Sequence, residues 1–320
     1  MTARICGTGS SLPKLRVTND DLSKILDTSD EWIKSRTGIE ARHIAVEETT
    51  TGLATEAAKQ ALLEAHMQAE ELDVIIAATV TPDRLLPFLS GEVQKELGAV
   101  HAAAFDIGAA CSGFLFALNT AYAYICAGIY KNALIIGAET LSKIMDWNDR
   151  STCVLFGDGA GAAVLRADKE GIMSITQGSD GARGMVLSCG GRALNTPFAK
   201  HEAENPYVQM GGQEVYKFAV KTVPACISEV IEKAGVSTEE ISLFVLHQDN
   251  YRIIESVAKR LLQPMEKFPV CLQECGNISA ASVPILLDKI NKDGKLKKGD
   301  KIVLAGFGAG LTWGACVLTW

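Results

Sequence analysis

The sequence predicts an α/β protein made of two halves of like pattern, and three observations predict it. Short apolar runs bounded by glycine or polar residues, such as VIIAATV, ALIIGA, LFVLH and KIVLAGFG, suit strands buried on both faces of a helix-covered sheet. Segments of helical periodicity alternate with them. The second half also repeats the first. EELDVIIAATVTP (70–82), FDIGAACSGFLFAL (105–118) and NALIIGAET (132–140) find counterparts in EEISLFVLHQDN (239–250), ECGNISAASVPILL (274–287) and DKIVLAGFGAGLTWGACVL (300–318). Asp73 to Cys111 is 38 positions and Ser242 to Asn277 is 35; Cys111 to Ala133 is 22 and Asn277 to Lys301 is 24. An internal duplication accounts for three elements recurring in order at matched spacing. It divides the chain into halves 1–168 and 169–320, related by a pseudo-two-fold.

Within the first half, Ala102–Phe105 reads as a strand, Gly108–Ala110 as a tight turn and Gly113–Ala127 as a helix buried on all sides. Cys111 falls where that helix begins. A helix N-terminus carries about half a positive charge and unsatisfied N–H groups, and a thiol placed there can fall from a pKa of about 8.5 toward about 3.5–7.5. On this segment alone a buried structural cysteine fits equally well. In the second half, Asn277 opens the matching helix and His247 ends the strand LFVL, at the sheet edge where α/β sites form. The duplication places Cys111 and Asn277 at equivalent positions and brings all three residues to one central point. They supply a nucleophile, a base or hydrogen-bond donor, and a second polar donor.

The other histidines serve the role less well. His66 lies in the polar helix TEAAKQALLEAHMQAEE, His43 closes the charged string RTGIEARH, His201 lies in a polar loop and His101 precedes a strand. A hydrogen-bonded core histidine remains open for His247 at this level. The loops GDGAGAAV (157–164) and GFGAGLTWG (306–314) contain GxGxG but match neither a dinucleotide nor a P-loop fingerprint. The first reads as close strand packing. The second fits either that or backbone N–H groups aimed at a reacting carbonyl oxygen.

Composition narrows the function classes. A net charge of −7 argues against nucleic acid as a general partner. The start MTARICGTGSSLP lacks the apolar core of a secretory signal, and the apolar stretch near 113–127 is too short for a membrane span and carries Asn119 and Thr120. Nine cysteines without such a signal point to free thiols in a reducing cytoplasm. Cys271 and Cys275 have no second pair at ligand spacing, so no metal is expected.

Beyond these readings, the motifs GTGSSLP (7–13), TSDEWIKSRTGIEARHI (28–44), AACSGF (109–114), DRSTCVLFGDGAGAAVL (149–165), HQDN (247–250), GNISAAS (276–282) and GFGAGLTWG (306–314) run from end to end of the chain. By them the sequence resembles the β-ketoacyl-acyl carrier protein synthase III family of the thiolase-like superfamily. The resemblance implies the layered αβαβα fold and a homodimer. It also implies a decarboxylative condensation of a short acyl-CoA, acetyl or branched, with malonyl-acyl carrier protein. Acyl-CoA is then a substrate, no cofactor is needed, and neither nucleic acid nor membrane is a partner.

The resemblance assigns the nucleophile to Cys111 and the donors to the enolate to His247 and Asn277. The backbone N–H groups of Cys111 and Ala309 form the oxyanion hole, and Thr28, Trp32, Arg36, Arg150 and Asn250 hold CoA. Leu141, Phe156 and Val208 form the acyl pocket, with Leu86 as a gate from the partner subunit, and a leucine gate leaves room for branched primers. Lys217, Gln248, Arg252, Lys259 and Arg260 form the carrier-protein patch. The chain departs from the family's common HQAN and GFGGG: Asp249 adds a charge that either alters cofactor contacts or stays in solvent. Ala309 is strained if its position needs a positive φ. Ile278 stands for a commoner threonine.

Three other readings stay in view. A relative in a polyketide or alkylquinolone pathway condenses other acyl groups. A Cys-His-Asn hydrolase shares the chain order of the three residues, but carries other motifs around its cysteine. A catalytically dead subunit has no reason to retain all three.

Overall fold

The computed structural model describes residues 1–320. Its two main sheets are each built from one half of the chain. The first runs Thr2–Ser11, Asp158–Asp168, Asn132–Thr140, Val74–Ala78, Ala103–Ile107 across the sheet; the second runs Ile172–Ser179, Thr312–Thr319, Lys301–Gly308, Ile241–Leu246. Val74–Ala78 pairs parallel with Asn132–Thr140, which pairs antiparallel with Asp158–Asp168. Ile241–Leu246, Lys301–Gly308 and Thr312–Thr319 repeat that sequence of senses. The two sheets differ by one strand. No strand in the second matches Ala103–Ile107; in the register set by the turns Ala110–Ser112 and Ser279–Ala281, its place is taken by the short helix Leu272–Cys275.

Helices cover and separate these sheets in an αβαβα stack. Gly113–Cys126 and Ser282–Lys292 lie between the sheets, with Phe114, Leu118, Ile285 and Leu286 packed in one core with Val74, Ile76, Val245 and Leu304. Thr50–Glu64 and Leu89–Leu97 cover the outer face of the first sheet, where Ile75 and Ala77 point the other way. Gly212–Ala234 and Tyr251–Arg260 cover the second. The central helix of the first half is buried on one side only toward its end: Ala121 and Ile125 stay buried while Ala123 and Cys126 are exposed. No helix is long and apolar enough to cross a membrane.

The pseudo-two-fold is sharpest at two short turns. Ala110–Ser112 leads into the first central helix and Ser279–Ala281 into the second. Their first residues share a left-handed backbone, Ala110 at φ 44° and Ser279 at φ 45°. This sets the true correspondence: Cys111 matches Ala280, and Asn277 lies two residues upstream of its turn. Cys111 and Asn277 therefore meet without being equivalent, which corrects the register read from sequence spacing.

The turns approach so closely that glycine is required around them. A Cβ on Gly137 would stand 2.2 Å from the Ala280 carbonyl oxygen. We expect Gly137→Ala to cost about 1–3 kcal/mol or more by overpacking. Gly181→Ala, whose Cβ meets nothing within 4 Å, should be near neutral. Thermal unfolding of the two variants checks this, and equal melting temperatures would contradict it.

Candidate active site

Each of the three polar residues is delivered by backbone that cannot easily move. Cys111 sits in the turn Ala110–Ser112, where the strained φ of Ala110 holds the thiol ahead of the helix. Gly308 packs on it, since a Cβ there would come within 2.7 Å of the Cys111 nitrogen. His247 follows strand Ile241–Leu246, and its N–H donates to the Ala305 carbonyl at 2.8 Å. Asn277 is clamped by both backbone groups: its N–H donates to Leu155 at 2.9 Å and its carbonyl accepts from Gly157 at 2.9 Å. Buried Arg42 braces that clamp, its guanidinium donating to the Val154 carbonyl at 2.7 Å and to Asn19 at 2.8 Å.

Cys111, His247 and Asn277 line one narrow cleft with Asp249, Phe156 and Phe307. Beside it opens a cavity of about 410 Å³, mostly apolar, lined by Leu141, Phe156, Val208, Ser279 and Ala309. Cys111 and Phe156 border both spaces, so the thiol stands where a reacting polar cleft meets room for an acyl chain. A larger depression of about 740 Å³ contains none of these residues; it is an open polar groove around Thr55, Lys59, Arg84 and Lys95.

Burial dominates the electrostatics. It pushes the Cys111 thiol up to about 12, against a hydrogen bond from Ser279, while the charges of Asp249 and Glu139 push the same way as burial. It pushes the His247 imidazole down to about 3, so the ring is neutral, with its Nδ1 buried and without a protein partner. Phe307 packs edge-on against it at 5.3 Å. Desolvation of a thiolate in the closed site thus works against the low thiol pKa expected from the helix N-terminus.

Two carboxyl groups enter the picture that sequence reasoning missed or misplaced. Asp249 belongs to the cleft and not to solvent, its Oδ1 accepting from the Asn277 amide nitrogen at 2.7 Å. Glu139 is fully buried at the end of strand Asn132–Thr140; burial raises it to about 7, against hydrogen bonds from Thr81 and Val80. The acidic residue closing the apolar run ALIIGAE was the available signal for Glu139.

The remaining expected residues separate into groups. Arg36 and Arg150 stack over Trp32, at 4.8 Å and 5.4 Å from the ring centroid. Ser29 caps the helix Asp30–Thr37 that carries two of them. Thr28 lies just ahead of that helix with its hydroxyl unpartnered. Asn250 caps Tyr251–Arg260 and donates to the Arg36 carbonyl at 3.1 Å, tying the two helices together. Lys217, Arg252, Lys259 and Arg260 are exposed. Gln248 is not part of any surface patch: it is buried, and its Oε1 accepts from the backbone of Cys271 and Leu272. Leu86 stands 81% exposed, outside the cavity of its own chain. Ala309 has no positive φ, so its side chain brings no strain.

Fold and site together define a condensing acyltransferase of thiolase-like architecture. Two family models match: 3-oxoacyl-[acyl-carrier-protein (ACP)] synthase III over residues 105–181 and its C-terminal part over 231–320. The chain is 49% identical to the β-ketoacyl-[acyl-carrier-protein] synthase III of Clostridium acetobutylicum, over 100% of this chain and 99% of that protein. Among solved structures, 3-oxoacyl-[acyl-carrier-protein] synthase III from Aquifex aeolicus is 49% identical at a TM-score of 0.93, over 99% of this chain and 100% of that one. The priming β-ketosynthase of the R1128 polyketide biosynthetic pathway is 34% identical at a TM-score of 0.92, over 99% and 96%. The chain belongs to the 3-oxoacyl-[acyl-carrier-protein] synthase III family.

The site makes its own pH prediction. With the thiol raised by burial, the thiolate fraction at neutral pH is small and grows with pH. Alkylation of Cys111 by iodoacetamide should climb about tenfold per unit between about pH 7 and about pH 9. Peptide mapping against pH measures this, and a plateau below about pH 7.5 would show the helix field winning after all.

Proposed function

We propose that this chain joins a short acyl-CoA, acetyl or branched, to malonyl-acyl carrier protein by decarboxylative condensation, starting fatty acid synthesis. The observation that carries the reading is the placement of Cys111, His247 and Asn277 on one cleft beside an apolar cavity. The Cys111 sulfur attacks the primer thioester; the C–S bond to CoA breaks, and the thiol proton ends on the departing CoA sulfur. The N–H groups of Cys111 and Ala309 face the developing oxyanion. Malonyl-carrier protein then loses CO₂, and its enolate oxygen takes hydrogen bonds from His247 and Asn277. The enolate carbon attacks the acyl carbon, the bond to Cys111 breaks, and the product is a β-ketoacyl-carrier protein. No cofactor or metal enters these steps.

His247 suits a donor better than a base. Burial disfavours charge on both Cys111 and His247, whereas a neutral ring still offers one N–H. Trp32, Arg36 and Arg150, with Thr28 and Asn250, fit the adenine and phosphates of CoA. Lys217, Arg252, Lys259 and Arg260 offer positive charge to an acidic carrier protein.

A homodimer fits the free edge strand Ala103–Ile107. Asp106 on that strand accepts from the N–H groups of Leu89 and Ser90, at 2.9 Å each, which holds the exposed Leu85–Leu86 loop beside it. Pairing of two edges would cover the loop and send Leu86 toward the partner's cavity. The halves 1–168 and 169–320, a cytoplasmic setting, and the absence of nucleic-acid and membrane partners complete the reading. The likeness to a polyketide priming enzyme supports a second one, in which the same condensation primes a polyketide or quinolone pathway. A panel of acetyl-, isobutyryl- and longer acyl-CoA primers separates the two.

The roles are tested by dividing the reaction. His247→Ala and Asn277→Ala should each keep measurable acylation of Cys111 and lose malonyl decarboxylation by about a hundred-fold or more, as single oxyanion donors do. Released CO₂ and released CoA report the two steps. Loss of acylation with decarboxylation spared would make His247 the base for Cys111.

A further inference from the structure

Asp249 has no part in the condensation chemistry described above, yet it lies on the same cleft. Its 12 lining residues contain no lysine or arginine, so nothing of opposite charge faces the carboxyl there. A carboxylate next to a site where an enolate forms, and where a malonyl carboxylate must enter, is electrostatically adverse. What it gains is a short contact, 2.7 Å, from the side-chain nitrogen of Asn277. The other end of that amide is also taken: Asn277 Oδ1 accepts from the N–H of Ser279 at 2.8 Å.

These two bonds fully orient the amide. A primary amide has two N–H donors and one carbonyl acceptor. Here one N–H and the oxygen are anchored on opposite sides, which leaves a single N–H for the substrate in one fixed direction. The Ser279 bond alone would leave the side chain hinged on its oxygen. A bond to a carboxyl group also polarises the amide and strengthens its remaining donor.

On the condensation reading, we infer that Asp249 is a positioning residue, which holds the Asn277 amide so that its free N–H meets the malonyl thioester oxygen. The residue acts through Asn277 and makes no bond to the reacting atoms. Misplacement of a donor by even a fraction of its length is costly in such a site. The effect belongs to decarboxylation, because acylation makes no use of the Asn277 donor.

A double-mutant cycle tests it on the full-length protein, with melting temperatures confirming that each variant folds. Asp249→Ala should lower kcat for malonyl-carrier protein decarboxylation about tenfold relative to Cys111 acylation, without raising KM for the malonyl-carrier protein. Asp249→Asn, whose side-chain oxygen still accepts from Asn277, should recover most of that loss. In an Asn277→Ala background Asp249→Ala should change decarboxylation by less than about twofold, since the partner it acts through is gone. An Asp249→Ala variant that decarboxylates as fast as the wild type, or an equal loss in both backgrounds, would overturn the inference alone. A wild type that neither acylates Cys111 nor releases CO₂ would overturn the condensation reading with it.

Discussion

Two strained turns, Ala110–Ser112 and Ser279–Ala281, meet at the pseudo-two-fold, and the site depends on how closely they approach. The approach is possible because Gly137, Gly308 and Gly113 present bare backbone where any Cβ would collide, on Ala280, Cys111 and Ala78 respectively. Each turn launches a central helix that packs against both sheets, so the cost of the left-handed backbone at Ala110 and Ser279 is offset by the core on either side. The backbone clamp on Asn277 ties the second half to Leu155 and Gly157 of the first. The two halves then deliver a thiol, an imidazole and an amide to one place.

The same closeness decides the electrostatics. Cys111, His247 and Asn277 are all buried, and burial drives thiol and imidazole alike to their neutral forms. A neutral imidazole and an amide donate hydrogen bonds without adding net charge, which suits stabilisation of an enolate that exists only transiently. Burial raises the Asp249 and Glu139 carboxyls as well, and their charges oppose a thiolate at Cys111. Burial thus favours the thiol form of Cys111 in the resting site.

Much of this was legible in the sequence, for identifiable reasons. Short apolar runs and matched spacings report strands and duplication directly, because burial on both faces demands continuous hydrophobicity. Cys111, His247 and Asn277 were readable as residues ending or opening apolar elements. The register between Cys111 and Asn277 was not, since a shift of two or three residues at a turn leaves no periodic trace. Gln248 and Asp249 show the limit most clearly. Adjacent polar residues after a strand look alike in sequence, yet one is spent on the backbone of Cys271 and Leu272 while the other reaches Asn277. The helix-end argument for a reactive thiol weighed the helix field without the desolvation that comes with packing.

The central claim is that both halves converge to make Cys111, and no other cysteine, the acyl acceptor. Mass spectrometry of the protein after incubation with acyl-CoA alone, followed by peptide mapping, tests it most directly. The account predicts one acyl group per chain, on the peptide containing Cys111, stable until malonyl-carrier protein is added. An acyl group on any other of the nine cysteines, or steady hydrolysis of acyl-CoA with no adduct, would contradict it.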